Sequence, residues 1–581
     1  MNYSFNESNK MKMKYRNIRL TVIVAFATVL LCAACSDEWN DHYNGNDTSI
    51  AKSGTLWGAI SSQGNLSNFT RVVKACGYDA VLNGSQTFTV FAPTDDQFQA
   101  GQADSLIEVF NAQKARGVKS DDNTVVKQFL QNHICLFKHP VSSLTDTTIV
   151  MMNGKYAKLS PDRIDQRTFL SKNELYGNGV LYTINNKVDY FPNVFEYLGL
   201  DQELDSVYQF LNSYSIYEFD ETKSVPGDII NGRTEYLDSV TSLTNELFRA
   251  LGRINSEDST YWMVAPTNDE WTKLSTAYTD YFNYHKNVAK RDSMQFANAR
   301  LAILAGTIFS RTENPDPAFR DSAISTTAVH HSTRTIMKLD PYYVFYHPFE
   351  KGNIFDVQEQ VTCSNGEVLK APVLNVDPRN TFMQTIKVEA ENVLNQDTIQ
   401  DAEEPLTVRH VAVENPFRDK ISGNAFVEVV PKPASMNPTV RFSIPNVLSN
   451  VKYDVYCVFA PVAAFDTLAT HEQRLPNSFR VALRYPDANG VTSDRDLTGT
   501  KRTQSDEKGE CNVVDTVLLA ENYVFPTSSW DLSDPQVSVR LRSTVTSRQT
   551  STYTKVFRID CFLFVPRIEA TEPENAKRNI Q

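Results

Sequence analysis

The sequence predicts an α+β chain: two α+β modules in tandem, followed by an antiparallel β-sandwich or jelly-roll domain. Two observations carry this. A segment in which an apolar run enters Ala-Pro-Thr occurs twice, at residues 88–98 and 261–271. Beyond Pro378 helical periodicity gives way to strict alternation of apolar and polar residues. The division that follows is 1–34, a cleaved leader; 35–52, an acidic and polar tether; 53–192, the first module; 193–380, a divergent second module with an insertion; 385–567, the sandwich; and 568–581, a polar tail.

The leader reads as an export signal. Lys10, Lys12, Lys14, Arg16 and Arg19 form a basic head, and residues 20–34 an apolar run shorter than the ~20 residues a membrane-spanning helix takes. Ala33 and Ala34 supply the small-residue exit. Cys35, directly after them, resembles the acylated cysteine in the lipobox of bacterial lipoproteins. One departure is Cys32, where a Leu is commoner, with Leu31 one place earlier. The resemblance implies that Cys35 carries the lipid and becomes the first mature residue. Several acyl chains on one residue bury enough methylenes to anchor stably. Ser36, Asp37 and Glu38 are similar to the surface-export signal of Bacteroidota lipoproteins, which implies an outer-membrane, cell-surface location. Read alone, they are also a solvated linker of the kind residues 40–49 form.

At the repeated segment a β-rich run ends at Pro93 or Pro266, since proline cannot continue a ladder. Thr94 or Thr267 is then expected to cap a helix, with Gln97 or Glu270 completing a capping box. Phe98 against Pro93, and Trp271 against Pro266, fit the accompanying hydrophobic staple. Asp96 and Asp269 fall in the expected first turn, where the helix dipole favours an acid. The motif therefore reads as a strand-to-helix junction, with no sign of an active site.

Phe-Ala-Pro-Thr-Asp followed by an aromatic resembles the first motif of fasciclin-like domains. Further segments agree. Leu66, Phe69, Val72, Val73 and Cys76 share one helix face. Residues 129–134 look like the family's second motif, ending in the Asn132-His133 pair, and residues 177–185 like its closing Asn-Gly-Val strand. In the second copy residues 364–369 are similar to that closing strand, and Ala305-Gly306-Thr307 stands roughly where His133 would fall. A long insertion at about 220–239 precedes the second copy's strand. The resemblance implies small α+β units, a β-wedge with helices around it, that adhere to proteins, matrix or glycans and lack catalytic residues. It ties His133 to adhesion; read as a residue alone, it is a semi-buried histidine holding a turn.

In the last third Val440, Phe442 and Ile444 alternate with Arg441 and Ser443, and Phe557, Ile559, Cys561 and Leu563 with Arg558 and Asp560. Period two over many short runs argues a sandwich. By pattern it resembles the β-sandwich domains appended to surface glycan-handling proteins. Trp530, its one tryptophan, would stack on a sugar if exposed, with Asp531 accepting hydroxyl bonds; a core or rim place is the alternative. Asp487, Asp494, Asp496 and Asp506 read as a solvated loop, because a calcium loop needs tightly regular ligands.

The chain is 41% hydrophobic and 22% charged, with a net charge of −12. Its pI is about 5.4, and such acidity argues against nucleic acid as a partner. Cys76, Cys135, Cys363, Cys457, Cys511 and Cys561 contain no Cys-x-x-Cys pair, so neither a zinc knuckle nor a redox site is suggested. Nucleophile-elbow, phosphate-loop and His-Glu-x-x-His patterns are absent from the sequence, although carboxylate pairs for glycoside hydrolysis need not be close in sequence. No catalytic residue, metal or cofactor is expected. The expectation is a non-catalytic scaffold or accessory ligand-binding lipoprotein. Its partners by analogy are outer-membrane transporters of SusC/SusD type. A surface glycan-binding protein and a host or matrix adhesin are the alternatives.

Overall fold

A central strand, fully buried in the first module and buried at all but Trp262 in the second, organises each α+β module. Phe88–Pro93 is buried at every position because it has neighbours on both edges and packing on both faces. It runs parallel to Gly179–Ile184, Phe88 opposite Gly179 and Pro93 opposite Ile184, and antiparallel to Ile134–Leu136. Strands covered on both faces read as unbroken apolar runs. Phe88, Val90 and Ala92 join Phe69, Phe98, Phe110 and Phe129 in one cluster with the helices. Phe91, on the opposite face, stacks on Tyr182 at 5.1 Å. Beyond Gly179–Ile184 the sheet continues through Arg167–Tyr176, Arg163–Ile164 and Tyr156–Leu159 to Thr147–Val150.

The structure, a computed structural model, describes residues 52–567 except 223, 231–232, 311–321, 329–341 and 358. Cys35, Ser36, Asp37, Glu38 and the tail 568–581 lie outside the described residues. No helix among the described residues is long and apolar enough to cross a membrane.

The second module repeats the register. Tyr261–Pro266 runs parallel to Gly366–Ala371, from Tyr261 opposite Gly366 to Pro266 opposite Ala371, and antiparallel to Ile308–Ser310. Both closing strands begin with a glycine for a steric reason. A Cβ at Gly179 would lie 2.3 Å from the Phe88 carbonyl oxygen, and one at Gly366 1.8 Å from that of Tyr261.

The chain divides into two units, one ending at Tyr190 but including Phe219–Val240, the other holding Phe191–Glu218 and everything from Thr241. Here the structure differs from the sequence division: 219–240, expected as an insertion within the second module, folds with the first. Its strands Val225–Ile230 and Arg233–Asp238 form a hairpin. The buried Asp238 accepts hydrogen bonds from the Tyr78 hydroxyl at 2.8 Å and Gln131 Nε2 at 3.0 Å.

In the second unit the closing domain is the expected antiparallel sandwich. One sheet runs Thr407–His410, Ala425–Val429, Phe557–Arg567, Lys452–Phe459, Asp515–Val524, with Ile386–Glu389 also paired to Phe557–Arg567. The other runs Gln396–Gln400, Thr439–Ile444, Val537–Ser543, Ser478–Pro486, Thr492–Asp496, with Lys501–Arg502 added to Ser478–Pro486. Phe442 and Phe562 meet between the sheets at 5.1 Å. The sandwich and the second module share one continuous apolar core.

Candidate functional site

The repeated junction holds backbone together. After Phe88–Pro93 the chain makes a turn, and the next helix, Ala100–Ala115, begins five residues later than a cap at Thr94 would place it, with Gln99 and Gln102 as its capping box. Thr94 is therefore no helix cap; its hydroxyl is buried without a partner. Asp96 is exposed in the turn and lies in no helix. The residue that caps is Asp95. Its carboxylate accepts from the Ser67 amide at 3.0 Å, the Ser67 hydroxyl at 2.6 Å and the Asn68 amide at 2.9 Å, at the start of the helix Ser67–Ala75.

In the second copy Thr267 does stand at the N-cap position of Asn268–Thr279, but without a side-chain bond, and Asp269 falls in that helix's first turn. The expected box with Glu270 is absent, because Glu270 accepts instead from the Leu374 amide and Lys273. Asn268, the counterpart of Asp95, accepts from the Ser206 amide at 2.9 Å, at the start of Asp205–Asn212. Both copies thus reach back to cap a preceding helix.

The remaining motif residues are equally internal. His133 is fully buried. Its Nδ1 lies 2.7 Å from the Phe129 carbonyl oxygen, and its Nε2 accepts the Val188 amide at 2.9 Å. These two bonds fix the neutral tautomer with the proton on Nδ1. Burial, opposed by the Phe129 bond, brings its pKa down to about 4. A ring so enclosed presents no surface for the contact that the resemblance ties to His133. Thr307 takes its place in the second copy: the Val264 amide donates to the Thr307 carbonyl as the Phe91 amide does to that of His133. Asn178 accepts the Leu56 amide and donates to the Leu82 and Gly84 carbonyls. Asn365 repeats this with Val194, Ile254 and Ser256.

Trp530 is half-buried against the apolar core of the second unit. It packs edge-on to Phe282 at 5.8 Å, and its carbonyl accepts the Tyr284 hydroxyl at 2.9 Å. Around it the second module is bonded to the sandwich: the Asn283 amide donates to Ser449 Oγ, and the Ser528 amide to the Asn283 carbonyl. The four loop aspartates are separately satisfied. Asp494 and Asp496 stand on the strand Thr492–Asp496. There Asp494 meets Arg441, Arg484 and Arg540. Asp487 and Asp506 each accept two amides of their own turns. All six described cysteines are buried free thiols.

Sequence reading missed a buried acidic group on the sandwich. The strand Phe557–Arg567 is buried on both faces over most of its length, so Asp560, expected outward by alternation, is enclosed. Burial pushes the carboxyls of Asp560 and Glu391 up to about 7. The one signal in the sequence was Asp560 standing within the otherwise apolar run 559–565. The loops of the sandwich also form an open polar cleft of about 340 Å³, lined among others by Ser435, Glu472, Ser547, Thr550, Tyr553 and Lys555.

Residues 64–188 match the family model described as Fasciclin domain. That segment is a Fasciclin domain. No curated protein matches the chain. Several solved structures are similar to parts of it, three of which follow. One is the FAS1 domain pair of the insect cell adhesion molecule fasciclin I, at 14% identity, covering 55% of this chain and 99% of that one, TM-score 0.17. Another is the CBM22-1 xylan-binding domain from Paenibacillus barcinonensis, at 13% identity, covering 32% and 96%, TM-score 0.19. The third is a carbohydrate-binding module with specific mannan recognition, at 12% identity, covering 32% and 99%, TM-score 0.18.

On the Fasciclin domain one exposed side chain stands apart. Phe137, three residues past the second motif, is 62% exposed and holds φ at 67°, a region bulky residues rarely adopt. Its backbone is fixed on both sides, its amide donating to the Thr87 carbonyl and its carbonyl accepting the Thr89 hydroxyl, each at 2.8 Å.

Proposed function

We propose that this chain is a non-catalytic, lipid-anchored surface protein that binds other macromolecules through its Fasciclin domain. It serves as scaffold or ligand-binding accessory of an outer-membrane uptake complex of SusC/SusD type. The anchor rests on Cys35 after Ala33-Ala34, the surface location on Ser36-Asp37-Glu38, and the complex on analogy alone. The observation that carries binding is Phe137. A strained, exposed aromatic persists only where its surroundings hold it, and such residues cluster at contact sites. Aromatic anchors are also what protein interfaces favour. The polar motif residues Asp95, His133 and Asn178, by contrast, are engaged inside the fold. Co-purification from detergent-solubilised outer membrane tests this reading: a transporter recovered in near-stoichiometric amounts supports it.

A second reading, glycan binding by the sandwich, is favoured by the cleft around Tyr553. Hydroxyls, one acid, one base and one aromatic face are the chemistry that a sugar ring uses. A host or matrix protein recovered in place of a transporter would support the adhesin alternative.

A further inference from the structure

The antiparallel register of Ile386–Glu389 with Phe557–Arg567 sets Glu389 opposite Cys561, beside Asp560. The ligand-type atoms of Glu389, Asp560 and Cys561 all lie within 4.8 Å of one another. One oxygen of each of the two carboxylates is already held. The Ser422 amide donates to Asp560 Oδ2 at 3.2 Å. Glu389 Oε1 accepts the Ser422 hydroxyl and lies 3.2 Å from Lys387 Nζ. The other oxygens, Asp560 Oδ1 and Glu389 Oε2, are buried without a hydrogen-bond partner, and so is Glu391 Oε2. Asp560 is only 1% exposed. Gly423, at φ 59°, lets its loop close over the group: a Cβ there would lie 3.0 Å from Glu391 Oε1.

Elsewhere in the same sandwich buried acids are matched. Glu428 is bonded by Arg558 and Arg409, and Asp454 by Arg567. Here, among the described residues, Lys387 is the one cation paired with the group, and it lies against an oxygen that Ser422 already occupies. Unpaired buried carboxylates are costly, and Glu389 and Asp560, each with one unpartnered oxygen, come together here beside the Cys561 thiol, with Glu391 close enough to feel both of their charges. We propose that Glu389, Glu391 and Asp560 bind a hard divalent cation, calcium, which ties the first strand of the sandwich to its central strand. Three carboxylate oxygens suit calcium, whereas zinc favours nitrogen and sulfur and would recruit the Cys561 thiol. This site goes beyond the binding role proposed above, and its test reads cation binding whether or not any partner is captured.

The experiment uses the full chain, stripped with a chelator and titrated with calcium chloride in a calorimeter, with zinc chloride in parallel, while thermal unfolding is followed. One calcium site is expected, with a melting shift of roughly 5 °C or more at a hundredfold excess over Kd. Asp560→Asn should weaken calcium at least tenfold, yet without metal it should be no less stable than wild type, because a repelling buried charge is gone. Should Asp560→Asn fail to fold, Glu391→Gln supplies the same comparison. A silent titration with no melting shift, zinc binding without calcium binding, or calcium affinity unchanged in the variants would overturn the assignment.

Discussion

Asp95 is bonded twice to Ser67, a residue 28 positions earlier, its Oδ2 accepting both the amide at 3.0 Å and the hydroxyl at 2.6 Å. Leu66, at the N-cap position of that helix, has no side chain to cap it, and the free amides of a first turn need an acceptor. Asp95→Ala should therefore destabilise the first unit by about 1–2 kcal/mol. Thr94→Val, which removes an unpartnered buried hydroxyl, should fall within about 0.5 kcal/mol of wild type or stabilise it. Chemical denaturation of the two variants checks both; the reverse ranking would restore Thr94 as the cap.

This pair also shows what the sequence could and could not carry. The strand, the proline stop and the closing Asn-Gly strands were legible, because each is dictated locally by burial, by proline's missing amide and by a glycine against a neighbouring carbonyl. The helix start was not. The capping pattern at Thr94 and Gln97 is local, but the side chain that answers Ser67 comes from across the fold. The fate of 219–240 was hidden for the same reason, since Asp238 meets Tyr78 160 residues away. At Asp560 alternation misled: it marks a half-exposed strand, and Phe557–Arg567 is covered on both faces.

His133 makes the first unit's stability depend on pH. Its folded pKa, about 4, lies below the unfolded value near 6.5, so between these the unfolded chain binds more protons and stability rises with pH. The contribution is complete above about pH 6.5 and is lost as pH falls toward 4, on the order of 3 kcal/mol in all. Lys187 and Arg167 act with burial, and Asp189 opposes it. Unfolding of wild type and His133→Gln at pH 7.5 and 4.5 should show the gap between them narrowing in acid. A constant gap would contradict a neutral buried ring.

Trp530→Ala should destabilise the second unit by about 2–3 kcal/mol, less than the ~3–5 of a fully buried aromatic, through its lost packing on Phe282. Glycan retention by folded protein should be unchanged. Tyr553→Ala should leave unfolding unaltered and, if the cleft takes sugars, abolish retention on an affinity gel. Loss of retention in Trp530→Ala at normal stability would return the sugar site to Trp530.

For the proposed anchor, Cys35→Ala should move the protein from the membrane fraction to the soluble one, because acyl chains on Cys35 would supply the membrane affinity. A variant that still sediments with membranes would remove the lipid from the account.

The central claim is that the Fasciclin domain works by contact, with its motif residues holding the fold and Phe137 meeting a partner. Quantitative co-purification from solubilised outer membrane, with wild type beside Phe137→Ser, tests it most directly. The account predicts a near-stoichiometric transporter with wild type and a loss of tenfold or more with the variant, whose melting temperature should not fall, since a strained aromatic is removed from the surface. Equal recovery with both proteins, or no protein partner alongside strong glycan retention through the Tyr553 cleft, would contradict it.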